Sequence, residues 1–240
     1  MPDPGIIYDE DAETYTMTSA GHDIWDTQDG FAFAYMAVDG DFSGRVRLDT
    51  DFTGPATSAY SKAVLMVRDS LTPGSKHASY CAVSSGFVAM MFRDSESVVT
   101  DWPGAWDVSG FSYPIYLRLD RVGDTFTGYH STDGEAWTVG SSHSNPNFSE
   151  PVYLEIALTS QEETNPTTMV FSHINVPGYE PGTRAKAGQA TFALVSEDGG
   201  ELASAGIELV LRDGRRLRIA KGVDEETLRT VIAVLRDEGC

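Results

Sequence analysis

Short apolar segments separated by turn residues run through the first 177 residues, and none of them repeats with a helical period. Residues 31–38 alternate aromatic with small or aliphatic side chains, which is the two-residue period of a β-strand. Residues 63–68 are apolar on both faces, which predicts a central strand covered on both sides. Turn pairs such as Pro73-Gly74 and Asp133-Gly134 punctuate these segments. Many short strands without helices predict an all-β, two-sheet jelly-roll β-sandwich.

Ten strands are predicted in this region. They span residues 31–38, 42–48, 63–68, 77–83, 87–93, 115–121, 125–130, 137–140, 152–159 and 169–176. The preceding acidic segment, residues 9–13, is expected to be a polar N-terminal loop.

Charge excludes several classes of partner. The chain has 240 residues and a net charge of −19, which repels nucleic acid and anionic membranes.

No apolar run approaches the ~20 residues that a membrane-spanning helix needs. The first residues lack the basic and apolar regions of a secretory signal, so the chain as written is expected to be cytoplasmic. Two cysteines, Cys81 and Cys240, cannot build a disulfide framework.

A change in charge marks a domain boundary. Residues 1–180 contain 8 basic and 26 acidic residues, whereas residues 181–240 contain 9 and 10. A stretch rich in proline and glycine, residues 176–182, coincides with this change. We therefore expect a sandwich domain over residues 1–177, a linker over 178–190 and a small appendage over 191–240.

The appendage is predicted to be a ββα unit. A strand at 191–195 precedes a hairpin of strands 207–211 and 216–219 that turns at Asp213-Gly214. An amphipathic helix follows, with Asp224 as its N-cap. Residues 190–237 resemble the tail of an accessory protein encoded by one bacterial insertion-sequence group, without its DNA-binding half. The appendage is thus either a fusion scar or a unit that docks on the sandwich or mediates dimerisation.

Several ordered motifs carry a second resemblance, over residues 5–177. They are Asp23-Ile24-Trp25, Asp29-Gly30-Phe31, Gly40-Asp41-Phe42, residues 63–78, residues 116–129 and residues 170–176. Together they resemble the bacterial concanavalin A-like domains of the "regulation of enolase" type, relatives of the laminin-G and legume-lectin jelly rolls. The resemblance implies a jelly roll with a concave face, usually a non-catalytic module beside carbohydrate-active or cell-surface proteins. Related domains are often extracellular.

Catalytic motifs are missing from the sequence. A retaining glycosidase needs two carboxylates about 5–5.5 Å apart, and no Glu-x-Asp-x-x-Glu strand is present to supply them. Tyr60-Ser61-Lys62 resembles one short motif of polysaccharide lyases, but the accompanying Gln-Ile-His is absent. The five histidines have no paired metal-ligand spacing. We expect the chain not to be an enzyme.

Two tryptophans in a loop rich in proline and glycine are the first candidate for a ligand site. Trp102 and Trp106 could form a platform on which a sugar ring stacks, or could instead fold down as a plug over the end of the sandwich. Trp25 belongs to the family motif and is expected to be an anchor of the core or rim, with sugar contact as the second possibility.

Two arginines that end apolar strands are the second candidate. Arg68 and Arg93, with His77 opening the strand between them, could line one polar pocket that binds hydroxyls or a carboxylate. Alternatively, each arginine pairs with a neighbouring carboxylate such as Asp69 or Asp94, or caps a sheet edge.

No cofactor is required by any motif, although the resemblance makes calcium possible. Asp26 and Asp29 are the pair that would hold it. The segment from Ser131 to Trp137 resembles a shortened sialidase-type Asp box, which is a structural hairpin.

Taken together, these features of the sequence predict a non-catalytic, lectin-like module that binds a carbohydrate or cell-surface glycan. The alternatives are a structural or protein-interaction domain and, third, a glycan hydrolase or lyase; the oligomeric state is open.

Overall fold

The computed structural model describes residues 5–54 and 58–176, together with the backbone of three later strands. All regular elements in this part of the chain are β-strands. In chain order they are β1 (Gly5–Asp9), β2 (Thr14–Ser19), β3 (Phe31–Val38), β4 (Phe42–Leu48), β5 (Lys62–Arg68), β6 (His77–Val83), β7 (Phe87–Arg93), β8 (Val108–Ser109), β9 (Ile115–Val122), β10 (Thr125–Ser131), β11 (Thr138–Ser144), β12 (Val152–Thr159), β13 (Thr167–Asn175), β14 (Thr191–Val195), β15 (Gly206–Val210) and β16 (Arg216–Ala220). No described residue belongs to a helix of the length and apolarity that a membrane span requires.

The strands form two sheets. One has the order β11-β10-β9-β4-β13-β2-β1-β15-β16, and the other has the order β14-β3-β12-β5-β6-β7-β8. All neighbours are antiparallel except β1 and β15, which are parallel. β12 lies between β3 and β5, and β13 lies between β4 and β2, so strands distant in sequence close both sheets. The predicted all-β, two-sheet jelly roll is confirmed.

The main core lies between the two sheets. Alternate residues of each strand point into it, as the two-residue period requires. On the nine-stranded sheet these include Val46, Leu48, Leu117, Leu119 and Phe171; on the seven-stranded sheet they include Leu65, Val67, Tyr80, Met90 and Ile156. All are buried, and the opposite face of β4 and β9 is half-exposed.

A second apolar cluster covers the outer face of the seven-stranded sheet. It contains the other alternate residues of β3, β5, β6, β7 and β12: Phe31, Phe33, Val64, Met66, Cys81, Val83, Met91 and Ala157. Ile24, from the segment between β2 and β3, is buried against them. Trp25, Leu71 and Trp102 pack on the same cluster from connecting segments. Strands β5 and β6 are consequently buried on both faces, which confirms the central position expected for residues 63–68.

Strands β14, β15 and β16 extend the two sheets. β14 pairs with β3 at the edge of the seven-stranded sheet, and β15 pairs with β1 of the nine-stranded sheet. β15 and β16 form the antiparallel pair expected around Asp213-Gly214. The predicted linker over residues 178–190 and the helix that begins at Asp224 lie outside the described residues.

Candidate functional site

The three polar residues predicted to share a pocket do lie side by side. On the outer face of the seven-stranded sheet, Arg68 is in register with His77, and His77 is in register with Arg93. Asp29, from the segment between β2 and β3, lies between the two guanidinium groups. Its Oδ2 accepts hydrogen bonds from Arg68 Nη1 at 2.6 Å and Arg93 Nη1 at 2.7 Å, while Oδ1 accepts from Arg93 Nη2 at 2.6 Å.

The charges of this cluster are fixed by burial and pairing. Burial would raise the pKa of Asp29, but the hydrogen bond from Arg93 and the charges of both arginines outweigh it and hold that pKa below its usual value. Burial, opposed by Asp29 and reinforced by the arginines, lowers the pKa of His77 to about 3, so the ring is neutral near pH 7. Its Nε2 lies 3.1 Å from Thr100 Oγ1.

The expectation that Arg68, His77 and Arg93 line an open pocket is therefore wrong. Both arginines are 0% exposed and His77 is 1% exposed, because the segment before β3 folds over this end of the sheet. The alternative of carboxylate pairing is correct in kind, but the partner is Asp29 rather than Asp69 or Asp94.

The position of Asp29 also argues against the calcium site that was predicted at Asp26 and Asp29. Both carboxylate oxygens of Asp29 are occupied by guanidinium groups, and Asp26 is exposed. Within residues 5–54 and 58–176, no group of three or more His, Cys, Asp or Glu residues could hold a metal ion.

Glu155 belongs to this buried region and was not predicted. Its carboxyl lies on β12, is fully buried, and neither oxygen has a hydrogen-bond partner among the described residues. The nearest cation is Arg68, whose Nε lies 4.0 Å from Oε1. Burial raises the pKa of Glu155 well above its usual value, because this distant arginine compensates only in part. A lone acidic residue inside the apolar run of β12 was the available signal.

Farther along the same face, aromatic side chains surround an open cleft of about 340 Å³. Trp25, Trp102 and Trp106 form its walls, and Tyr60 stands at its rim with 56% of its surface exposed. The rings of Trp102 and Trp106 have centroids 4.5 Å apart, and Trp106 also stacks on Phe87 at 4.4 Å. Trp106 keeps 39% of its surface exposed. The structure thus brings together all three tryptophans singled out in the sequence.

Polar groups form the base of this cleft. Lys62, at the start of β5, makes an ion pair with Asp23, and both residues are buried. Asp23 Oδ1 also accepts the backbone N–H of Ile24 at 2.7 Å, and Oδ2 accepts Gln161 Nε2 at 3.4 Å. Sequence reasoning did not assign Lys62 or Gln161 to the site. The position of Lys62 in the strand could have indicated its role. It lies two residues before Val64 and therefore on the same face of β5.

Few ionisable side chains are found among the described lining residues of the cleft. Asp23 is the single carboxylate among its described lining residues, and its charge is paired with Lys62. Hydrolysis normally requires a second carboxyl group as acid, base or nucleophile. Aromatic faces beside a few oriented polar groups are instead the features of a small-molecule binding site.

Comparisons with solved structures found matches at low sequence identity. A functionally unknown protein from Saccharomyces cerevisiae matches with 16% identity and a TM-score of 0.52, over 73% of this chain and 92% of that one. The carbohydrate-binding module CBM66 from Bacillus subtilis matches with 14% identity and a TM-score of 0.44, over 73% of this chain and 99% of that one. A xylan β-1,4-xylosidase from Bacillus halodurans matches with 12% identity and a TM-score of 0.47, over 66% of this chain.

The chain spans only 32% of the xylosidase. No protein-family model matches the sequence, and no curated protein matches it. The resemblances to the "regulation of enolase" type and to an insertion-sequence accessory protein therefore stay predictions. At 16% identity, the likeness to the yeast protein concerns the fold alone.

Proposed function

We propose that this chain is a non-catalytic module that binds a carbohydrate in the aromatic cleft formed by Trp25, Trp102, Trp106 and Tyr60. The observation that carries the proposal is the convergence of three tryptophans on one open cleft above a polar base. A pyranose ring presents C–H groups that stack on aromatic faces, while its hydroxyls need a few hydrogen-bond partners. Gln161, which is half-buried, and the hydroxyl of exposed Tyr60 supply these partners, while Asp23 and Lys62 are buried beneath them.

The size and charge of the cleft favour a neutral saccharide. A volume of about 340 Å³ is at the lower end of the range of about 300–1,000 Å³ found for small-ligand sites. Lys62 and Asp23 neutralise each other, so the base of the cleft carries no net charge. A neutral ring of one or two sugar units satisfies both conditions.

A binding screen with matched variants tests the proposal. Full-length wild type is applied to a glycan array and to polysaccharide pull-downs, beside Trp106→Ala. We expect Trp106→Ala to weaken binding by about five- to thirtyfold, since loss of one stacking face removes roughly 1–2 kcal/mol. Tyr8→Ala removes a half-buried aromatic ring on β1, which belongs to the nine-stranded sheet and not to the sheet that carries the cleft, and should bind as wild type does.

Three outcomes would contradict the proposal. Unchanged binding by a folded Trp106→Ala would move the site away from the cleft. No binding to any glycan on the array would favour a structural or protein-interaction domain. Release of reducing or unsaturated ends from a bound polysaccharide would identify a glycan hydrolase or lyase.

A further inference from the structure

The outer face of the nine-stranded sheet carries an unusual concentration of cations. Only 8 basic residues occur in residues 1–180, against 26 acidic ones. Three of these eight, Arg45, Arg47 and Arg118, project from neighbouring strands β4 and β9 on the face opposite the main core. We name this surface the arginine face. Asp49 and Asp120 pair with two of these arginines, so three positive charges face two negative ones here, in a chain that is otherwise strongly acidic.

The arginines of this face are not fully neutralised. Arg118 is held by Asp120, with Nε 2.7 Å from Oδ1, and Arg47 is paired with Asp49. Arg45 has no carboxylate partner among the described residues, yet it lies directly opposite Arg118 in the cross-strand register. Like charges placed opposite each other across two strands are destabilising unless an anion compensates them.

Unused hydrogen-bonding capacity is concentrated on the same strand face. Seven buried side-chain atoms in the described part of the chain have no hydrogen-bond partner. Four of them belong to alternate residues along β4 and its end: Ser43 Oγ, Arg45 Nε, Arg47 Nε and Asp49 Oδ2. Buried polar groups are normally satisfied, so such a row indicates bound water or a ligand.

Aromatic rings surround these arginines. The Arg45 guanidinium carbon lies 5.5 Å from the centroid of Trp137, and that of Arg118 lies 4.3 Å from Tyr129. Arg47 lies 5.7 Å from Tyr116. On the other side of β4, a bulge in β13 sets Asn175 in register with Arg45. The face therefore combines flat rings, an amide and one guanidinium that has no carboxylate partner within residues 5–54 and 58–176.

We propose that the arginine face is a second ligand site, and that it binds a saccharide bearing a carboxylate, such as a uronic acid. The carboxylate pairs with Arg45, whose planar fork matches its geometry. The sugar ring lies against Trp137 or Tyr116. The overall charge of −19 disfavours long polyanions such as nucleic acid, whereas a single carboxylate needs only Arg45, which has no carboxylate partner in the described part of the chain.

Trigalacturonate and its fully methyl-esterified form are the probes, titrated into the full chain by calorimetry. We expect wild type to bind the acid at least about tenfold more tightly than the ester, and more weakly at about 0.5 M salt. Arg45→Gln should lose about tenfold in affinity for the acid, and Arg45→Lys should keep part of it. Lys76→Gln makes the same charge change in a connecting segment and should bind as wild type does.

Two results would overturn this assignment. One is equal affinity of wild type for acid and ester, including no binding of either. The other is unchanged affinity in Arg45→Gln, whose fold is checked by thermal unfolding. Trp106→Ala separates the two sites: if it abolishes trigalacturonate binding while Arg45→Gln does not, the acid occupies the aromatic cleft. That pattern would reject the arginine face and retain the first proposal.

Discussion

The Asp29 carboxylate pairs with two buried arginines, whose positive charges would otherwise be uncompensated in the interior. Arg68 and Arg93 lie in one row across three strands with only neutral His77 between them. Each guanidinium also donates to backbone carbonyls, among them Ser70 for Arg68. Ion pairs of this kind contribute little net stability when complete, but removal of one member leaves an uncompensated buried charge.

We therefore expect Asp29→Asn to destabilise the protein by about 3–5 kcal/mol in denaturant unfolding. The lowered pKa of Asp29 also has a consequence for acid stability. Its contribution is present above about pH 4, the ordinary carboxyl pKa, and is lost as pH falls through the lower folded value. Asp26→Asn, three residues earlier and exposed, is the control and should change stability by less than about 0.5 kcal/mol. Equal effects of the two variants would show that Asp29 does not compensate the arginines.

Glu155 gives the opposite dependence on pH. Because its folded pKa is raised, the folded state binds its proton more tightly than the unfolded state does. Its contribution to stability is complete below about pH 4 and falls as pH rises towards the folded pKa. Glu155→Gln should flatten the stability profile and gain at least about 1 kcal/mol at the alkaline end. Thermal unfolding across pH measures this, with exposed Glu135→Gln as the control, and parallel profiles for wild type and Glu155→Gln would contradict it.

At the scale of elements, the close approach of β10 to β6 depends on one glycine. A Cβ atom on Gly128 would overlap the ring of Tyr80, whose hydroxyl lies 3.1 Å from His130 Nδ1. The ring is part of the main core, so it has no space in which to move.

Gly128→Ala is expected to cost about 1–3 kcal/mol of unfolding free energy through this overlap. In a Tyr80→Leu background the same change should cost less, because the obstructing ring is gone. Additive effects of the two substitutions would show that the ring is not the obstacle. Thr127→Ala, on the exposed side of the same strand, serves as the reference.

Strand signals in the sequence were strong where apolar side chains alternate and weak elsewhere. The bounds of β3, β4, β6, β7 and β12 were predicted as the structure has them, because burial on at least one face imposes the period. The first two strands were missed, and residues 9–13 were correctly expected outside strands except for Asp9. β2 alternates threonine with Tyr15 and Met17, but these two are its only apolar residues, so its pattern is weaker than that of the apolar strands.

The candidate site was predictable in part for a similar physical reason. Trp102 and Trp106 were identifiable because large apolar rings in a turn-rich loop gain little from a core. The burial of Arg68, His77 and Arg93 could not be predicted. It depends on the segment between β2 and β3, whose path over the sheet is not indicated by any local sequence pattern. The pairing of Lys62 with Asp23 joins residues 39 positions apart and needs the folded sheet to bring them together.

At the scale of the whole molecule, the last strands cover edges of both sheets. β14 pairs with β3, and β15 pairs with β1. Without them, β1 and β3 would present unpaired N–H and C=O groups, which are templates for association with other chains.

A chain ending at residue 180 tests whether these strands stabilise the sandwich. We expect the truncated chain to lose at least about 1 kcal/mol, or roughly 2–4 °C in Tm, and to associate at high concentration. Light scattering and thermal unfolding compare it with the full chain. Rapid proteolytic trimming of the full chain to near residue 180, with no loss of stability, would instead favour a fusion scar.

The order of strands within the sheets also has a consequence for synthesis on the ribosome. β3 and β5 meet only through β12, and β2 and β4 meet only through β13. Neither sheet can close until residues 152–175 have been translated, which takes roughly ten to thirty seconds at ordinary rates. During that interval the nascent chain exposes apolar strands with no native partner, and chaperones that bind such segments should retain it. A stop codon before residue 152, which removes both β12 and β13, is therefore expected to yield an aggregating fragment rather than a smaller folded domain.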